Sequence, residues 1–385
     1  MSNIFRTAPA VPPRVVPERI REGREARGHT VDSFAEMLGV TRQAVGQYET
    51  GQIAPSAEAL SKIIAATGQP PSFFTTNRPR DVGSFGSPFW RGLKRMNKPD
   101  RLRIARRLEW AWDIVSYIEG FIELPKVNLP AFDWDWETGD EHALERVAGA
   151  VRDYWQLGRG PVFHLSKVLE ANGVIIIKEP VECEDMDAVS RWQGGRPFIL
   201  CSADRDELPR FNFDLAHELG HILLHNGVDV TSENINKIER QANYFAGAFL
   251  LPREVFSREV VSTSVHYFLK LKERWRVSVA AMIYRCKELG ILSATQVSYL
   301  YRQLSAKGMR KREPLDTAFK TEVPSILRAA LDMLIEHRVR TKAEIVDALA
   351  LNSQDIELLC GTEKGFFGET VVQLRLKPLG SRQLT

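Results

Sequence analysis

The sequence predicts an α+β protein that is predominantly α: an all-helical front, a middle part with a small sheet, and a helical C-terminal region. Three observations predict this. Apolar residues recur at helical spacing over most of the 385 residues. Two short runs, GVIIIKEP and RPFILCS, are β-branched or apolar and bounded by Gly and Pro, as strands are. Charge is unevenly divided: of 52 Lys and Arg and 49 Asp and Glu, residues 1–107 hold 18 and 9, leaving 34 and 40 for the remainder. A basic front on an acidic rear suggests separate tasks, with nucleic acid a natural partner for the front.

Composition excludes several classes. With 44% hydrophobic and 26% charged residues the chain reads as an ordinary globular protein of two or three domains. No run of about 18 apolar residues exists, so no membrane partner is expected. The start, MSNIFRTAPAVPPRVVPERI, lacks an apolar core long enough for a secretory signal, which predicts a cytoplasmic location. Cys183, Cys201, Cys286 and Cys360 are scattered without CxxC spacing, the pattern of reduced core thiols. The first fifteen residues, rich in Pro and Arg, read as disordered.

In the front, Thr30 can cap a helix running to Leu38 with Phe34, Ala35 and Leu38 inward. Gly39 follows, where a tight turn between helices needs positive φ. Thr41 can cap a second helix with Ala44, Val45 and Tyr48 apolar, and Ser56 a third that ends before Gly68. The stretch TVDSFAEMLGVTRQAVGQYETG resembles the Xre/Cro-type helix-turn-helix repressors, a likeness that covers residues 16–76. It implies a DNA-binding domain over 1–76 whose recognition helix exposes Thr41, Arg42, Gln43 and Gln47. Arg42 suits guanine and Gln43 adenine in the major groove. It also implies a homodimer on a two-fold operator. The alternative is an ordinary helical hairpin, or one kept for protein contacts. Residues 77–141 read as a linker (NRPRDVGSFGSPFW) and a basic amphipathic helix over 99–123. The run RGLKRMNKPDRLRIARR, residues 91–107, could extend a phosphate footprint.

In the middle, RFNFDLAHELGHILLH contains His217, Glu218 and His221. Four residues apart on a helix, the two histidines share a face about 5–6 Å apart, a spacing that suits two imidazoles on one tetrahedral Zn²⁺. Glu218, next to the first of them, is placed to act as a general base. The helix is apolar on several sides, and burying His–Glu–His without a purpose is costly. A third ligand is needed. His225 lies eight residues from His217, about 12 Å along a helix axis, so all three histidines cannot meet one ion; it reads as a supporting residue. Glu239 on the following helix, KIERQANYFAGAFLLP, is the better candidate. Asn243, one turn on, could reach a histidine's ring N–H.

These two segments resemble the ImmA/IrrE metallopeptidases, a branch of the zincins with HExxH and a downstream Glu. GVIIIKE, DAVSRWQGGRPFILCS and LKERWRVSVAAMIYRCKELGIL extend the likeness over roughly 142–310. It implies a zincin-like domain that holds Zn²⁺ through His217, His221 and Glu239, with Glu218 as catalytic acid/base. It also implies that Asp187–Trp192 or Pro197–Cys201 aligns substrate as an added strand. His266, Tyr267 and Tyr284 are candidates for stabilising an oxyanion. Residues 311–385 read as helical and then Gly-rich, without evident chemistry. In related systems such peptidases act on helix-turn-helix repressors or in toxin–antitoxin pairs. The expected function is therefore a DNA-binding transcriptional regulator with a zinc endopeptidase that cleaves a repressor, a toxin partner or itself. The alternative is a non-proteolytic regulator that uses the zincin fold for ligand or partner binding.

Overall fold

Hydroxyl caps and closing glycines cut the front of the chain into short helices. α1 (Pro17–Ala26) is followed by α2 (Val31–Leu38), where Thr30 Oγ1 accepts the Ser33 N–H, and by α3 (Arg42–Thr50), where Thr41 does the same for Ala44. α4 (Ala57–Thr67), capped by Ser56, and α5 (Pro71–Thr75) complete it. Gly39 ends α2 at φ 69°, the left-handed conformation the α2–α3 turn requires. The computed structural model describes residues 14–76, 96–183, 186–204, 207–310 and 312–368. Residues 1–13 of the start expected to be disordered, the linker at 77–90, residues 91–95 of the basic run and the end of the tail lie outside them.

α6 (Lys98–Glu119) differs from its expected form. It ends at Glu119 rather than near 123. Ile104, Leu108, Trp110, Ala111, Ile114, Val115 and Ile118 are all buried, because α6 packs against the front helices on one side and the sheet on another. Three of its four arginines turn inward. Arg106 pairs with Glu25 and Glu109, Arg103 donates to the Val181 carbonyl, and Arg107 is held by Glu179 and Asp355. These three side chains therefore join parts of the protein and are not spread over a phosphate-binding face.

α7 (Glu141–Tyr154) and α8 (Leu165–Ala171) lead into the sheet of β1 (Ile175–Glu179), β2 (Ala188–Gln193) and β3 (Arg196–Ser202), in the order β1-β3-β2. β1 runs parallel to β3, and β2 antiparallel to it, with Val189 opposite Leu200. Gly194 and Gly195, at φ 57° and 75°, form the two-residue hairpin between β2 and β3. A Cβ on Gly194 would meet the Trp112 ring at 1.9 Å. Side chains alternate across the sheet. Ile176, Ala188, Ile199 and Cys201 enter one core, while Ile175, Ile177, Val189, Phe198 and Leu200 enter the other.

The first core contains α9 (Leu208–Leu224), α10 (Ile235–Leu250), α11 (Arg253–Glu259), α12 (Val265–Trp275), α13 (Val279–Glu288) and α14 (Ala294–Ala306). The second joins the front helices and α6 to α15 (Ile326–Glu336), α16 (Lys342–Leu349) and α17 (Ser353–Cys360). The C-terminal helices thus pack with the front of the chain. At their junction the buried Asp355 carboxylate accepts from Arg27, Gln69 and Arg107. Among the described residues no disulfide links the four cysteines, and no helix is long and apolar enough to cross a membrane.

Candidate metal centre

The centre is built where α9 and α10 cross. A glycine inside a helix costs about 1 kcal/mol relative to alanine, so Gly220 in the middle of α9 calls for a packing reason. A Cβ there would stand 3.0 Å from the Phe245 ring and 3.3 Å from the Ala242 Cα. Gly220, with Ala242 facing it on α10, lets the helices approach closely. That approach brings Glu239 to the two histidines.

His217 and His221 are each 1% exposed, and their Nε2 atoms are 3.0 Å apart. Glu239 Oε2 lies 3.4 Å from His217 Nε2, and Oε1 lies 3.3 Å from His221 Nε2. Among the described residues, these three side chains form a potential metal-binding group, their donor atoms all within 4.8 Å of one another. Two imidazole nitrogens and a carboxylate suit Zn²⁺. Burial opposes ionisation of Glu239, but the hydrogen bonds and charges of His217 and His221 outweigh it and hold the carboxyl well below its ordinary range. Glu218 is buried on α9 between the two histidines in sequence.

Behind the ligand atoms, His217 Nδ1 lies 3.2 Å from Asn243 Oδ1, and His221 Nδ1 lies 3.1 Å from His225 Nδ1. His225 therefore stands on the far side of His221 from the converging Nε2 atoms. Burial, then the neighbouring His221, lowers its pKa to about 3, so the imidazole is neutral at ordinary pH.

A cleft of about 630 Å³ reaches the centre through Glu239 and Asn243. Its walls come from α9 (Arg210, Phe213, Asp214), α13 (Ala281, Tyr284, Arg285, Glu288) and the stretch after α14 (Arg310, Glu313, Asp316). Of the three oxyanion candidates, Tyr284 lines this cleft. The Tyr267 hydroxyl donates to the Glu259 carbonyl at 2.8 Å, and His266 is not among the lining residues. Pro197–Cys201 cannot align a substrate strand, because β3 is paired on both sides. β2, which contains most of Asp187–Trp192, is an edge strand packed beside α9.

At α3, Thr41, Arg42 and Gln43, three of the residues expected to meet DNA, are exposed, and the fourth, Gln47, is half-buried. Thr41 Oγ1 is engaged in capping, and Arg42 makes an exposed ion pair with Asp32 at 3.1 Å. Such a pair is worth about 0–1 kcal/mol and yields readily to a stronger acceptor.

Fold and site together place a helix-turn-helix segment in the same chain as a domain with an HExxH helix and a downstream glutamate. Residues 20–74 match the helix-turn-helix family, and residues 169–287 match the IrrE N-terminal-like domain. The chain is also 35% identical over 51 residues to the SPbeta prophage-derived uncharacterized HTH-type transcriptional regulator YonR of Bacillus subtilis (strain 168). That match covers 13% of this chain and 47% of YonR, so the chain spans about half the length of this curated relative.

Two residues of the site escaped the sequence reading. Gly220 carried a signal, since an interior helical glycine implies close packing. Gln241, which meets His225 at 3.0 Å, carried none: it lies two positions from Glu239, off the face that Glu239 and Asn243 share.

Proposed function

We propose that this chain is a DNA-binding transcriptional regulator whose zinc-dependent endopeptidase domain cleaves a regulatory protein partner, a helix-turn-helix repressor or a toxin partner, or the chain itself. The observation that carries this reading is the convergence of His217, His221 and Glu239 beside Glu218 at the end of an open cleft. His217, His221 and Glu239 would hold the zinc, which would supply Lewis acidity toward a peptide carbonyl and a lowered pKa for water. Glu218 takes the proton of the attacking water and returns it to the leaving amine. Asn243 and His225 orient the two imidazoles. The free edge of β2 aligns an extended peptide through backbone hydrogen bonds, and Tyr284 donates to the developing oxyanion.

Metal analysis tests the centre. The parent should hold one zinc per chain, and Glu239→Ala should bind it more than about 100-fold more weakly, beyond the 10–100-fold typical of residues behind the ligands. Full zinc in Glu239→Ala, with loss in His225→Ala, would reverse the choice of third ligand.

At the front, Arg42 and Gln43 read base edges, and the chain binds a two-fold operator as a homodimer. Affinity should fall steeply with salt as phosphate contacts release counterions. Arg42→Ala and Gln43→Ala should each relax preference at one or two base pairs, costing roughly 1–3 kcal/mol. A mobility-shift series over variant operators measures this. Unchanged preference in both variants removes the assignment.

A further inference from the structure

We infer that the part of the cleft beside Gly247, away from the metal position, is a subsite for a basic side chain, Lys or Arg, of a bound peptide, with the Glu288 carboxylate as its counter-ion. This rests on reading the cleft as the peptide-binding site of the metallopeptidase-type domain.

Two helix faces line the cleft. α10 contributes Glu239, Asn243 and Gly247, four residues apart on one face, and α13 contributes Ala281, Tyr284 and Glu288, three and four apart. Gly247 stands two turns beyond Glu239, about 12 Å along the α10 axis. An extended peptide advances about 3.3 Å per residue, so it reaches Gly247 within roughly four residues of a bond held at the metal position.

Gly247 gives this end its room. A glycine within a helix is unfavourable relative to alanine, and here neither the backbone nor packing requires one. Gly247 is not among the positive-φ glycines, and a Cβ would make only ordinary contacts, 3.4 Å from Glu288 Oε2 and 3.5 Å from Arg285 Cδ. What the missing methyl leaves open is the space in front of the Glu288 carboxylate.

That carboxylate is poorly compensated. The Glu288 side chain is 9% exposed, and its ion pair with Arg285 is long, at 3.4 Å. Arg285 is committed elsewhere, to both Glu145 oxygens at 2.7 and 2.9 Å and to the Leu251 carbonyl at 3.2 Å. Burial, opposed by Arg285 and reinforced by Glu141 and Glu145, raises the Glu288 pKa to about 7. Arg285 therefore does not offset the desolvation, and a cation entering from the cleft would. Of the other arginines on the walls, Arg210 pairs with Asp187, and Arg310 lies over the Tyr301 ring at 5.1 Å.

Three capped amino acids probe the subsite without any need for catalysis: the N-acetyl amides of arginine, glutamine and glutamate, titrated into the full-length protein by saturation-transfer NMR. The parent should bind the arginine compound about tenfold or more tightly than the other two, as a charge-assisted hydrogen bond allows. Glu288→Gln keeps the shape and should abolish that preference. Gly247→Ala should fold at least as stably as the parent and bind arginine several-fold more weakly, its methyl covering Glu288 Oε2. Zinc affinity should be unchanged in both. An arginine preference that survives in Glu288→Gln overturns the inference, as does equal binding of the three compounds, or preference for glutamate through Arg240 or Arg310. A folding defect in Glu288→Gln leaves Gly247→Ala to decide, and undiminished arginine binding there also overturns it. Peptide libraries separate the subsite from the reading beneath it. The zinc-loaded parent should cut with Lys or Arg at one position within about four residues of the bond, and Glu288→Gln without that preference. Cutting by the parent with no basic preference removes the subsite and keeps the peptidase. Glu288-dependent arginine binding by a protein that cuts no peptide keeps the subsite and removes the peptidase.

Discussion

Glu218→Gln should fold, hold zinc and shift operator DNA like the parent, yet lose cleavage of its protein partner or of itself. The substitution keeps side-chain size and leaves His217, His221 and Glu239 in place, so the donor set within 4.8 Å is unchanged. What it removes is the group that takes and returns a proton, a contribution of typically 10²–10⁴-fold in rate. The comparison sets a mobility-shift assay beside gels of the chain and of a co-expressed product of the adjacent gene. Identical cleavage patterns and identical transcriptional responses in parent and variant would sink the peptidase reading. The domain would then serve as a ligand- or partner-binding module of a non-proteolytic regulator.

The largest expected effect on stability is at Asp355. Its carboxylate is buried and accepts from Arg107 of α6, from Arg27 at the end of α1, and from Gln69. Asp355→Ala leaves Arg107 with Glu179 alone and removes the anchor between α17 and the front helices. Breaking a buried ion pair at one partner costs about 3–5 kcal/mol, and denaturant unfolding should show a loss of that order. Hydrogen exchange should rise first in α1 and α17, while zinc affinity stays close to the parent's, because the metal centre belongs to the other core. A loss under about 0.5 kcal/mol would mean that the junction contributes little. The pH dependence has a definite sign. Burial raises the Asp355 pKa, but Arg107 and Arg27 more than reverse this and leave it below 3.8. The contribution is therefore complete above the ordinary Asp value and is lost as pH falls through the lowered native one.

Much of the metal site was legible in the sequence because its spacings are local. Helix geometry alone sets His217 and His221 on one face, separates His225 from His217, and aligns Asn243 with Glu239. The capping residues Thr30, Thr41 and Ser56, and the turn at Gly39, were equally readable, since each cap is a contact across three residues. The basic run was open to more than one reading, because charge alone carries no direction. Arg103, Arg106 and Arg107 look like a nucleic-acid surface until the Val181 carbonyl, Glu25, Glu179 and Asp355 arrive from distant parts of the chain.

By itself, then, the sequence determined the helix-turn-helix front, the HExxH helix and the residue types able to hold a metal, all of them consequences of short-range periodicity. Tertiary structure decided the rest. The crossing at Gly220 sets how near Glu239 comes to the histidines. The pairing of β3 on both sides leaves β2 as the edge. The docking of the 134–139 loop gives Gln241 its direction, and the burial of α6 turns Arg103, Arg106 and Arg107 inward. Each depends on groups far apart in the chain meeting at a fixed distance, and no local pattern encodes a distance between two separate elements.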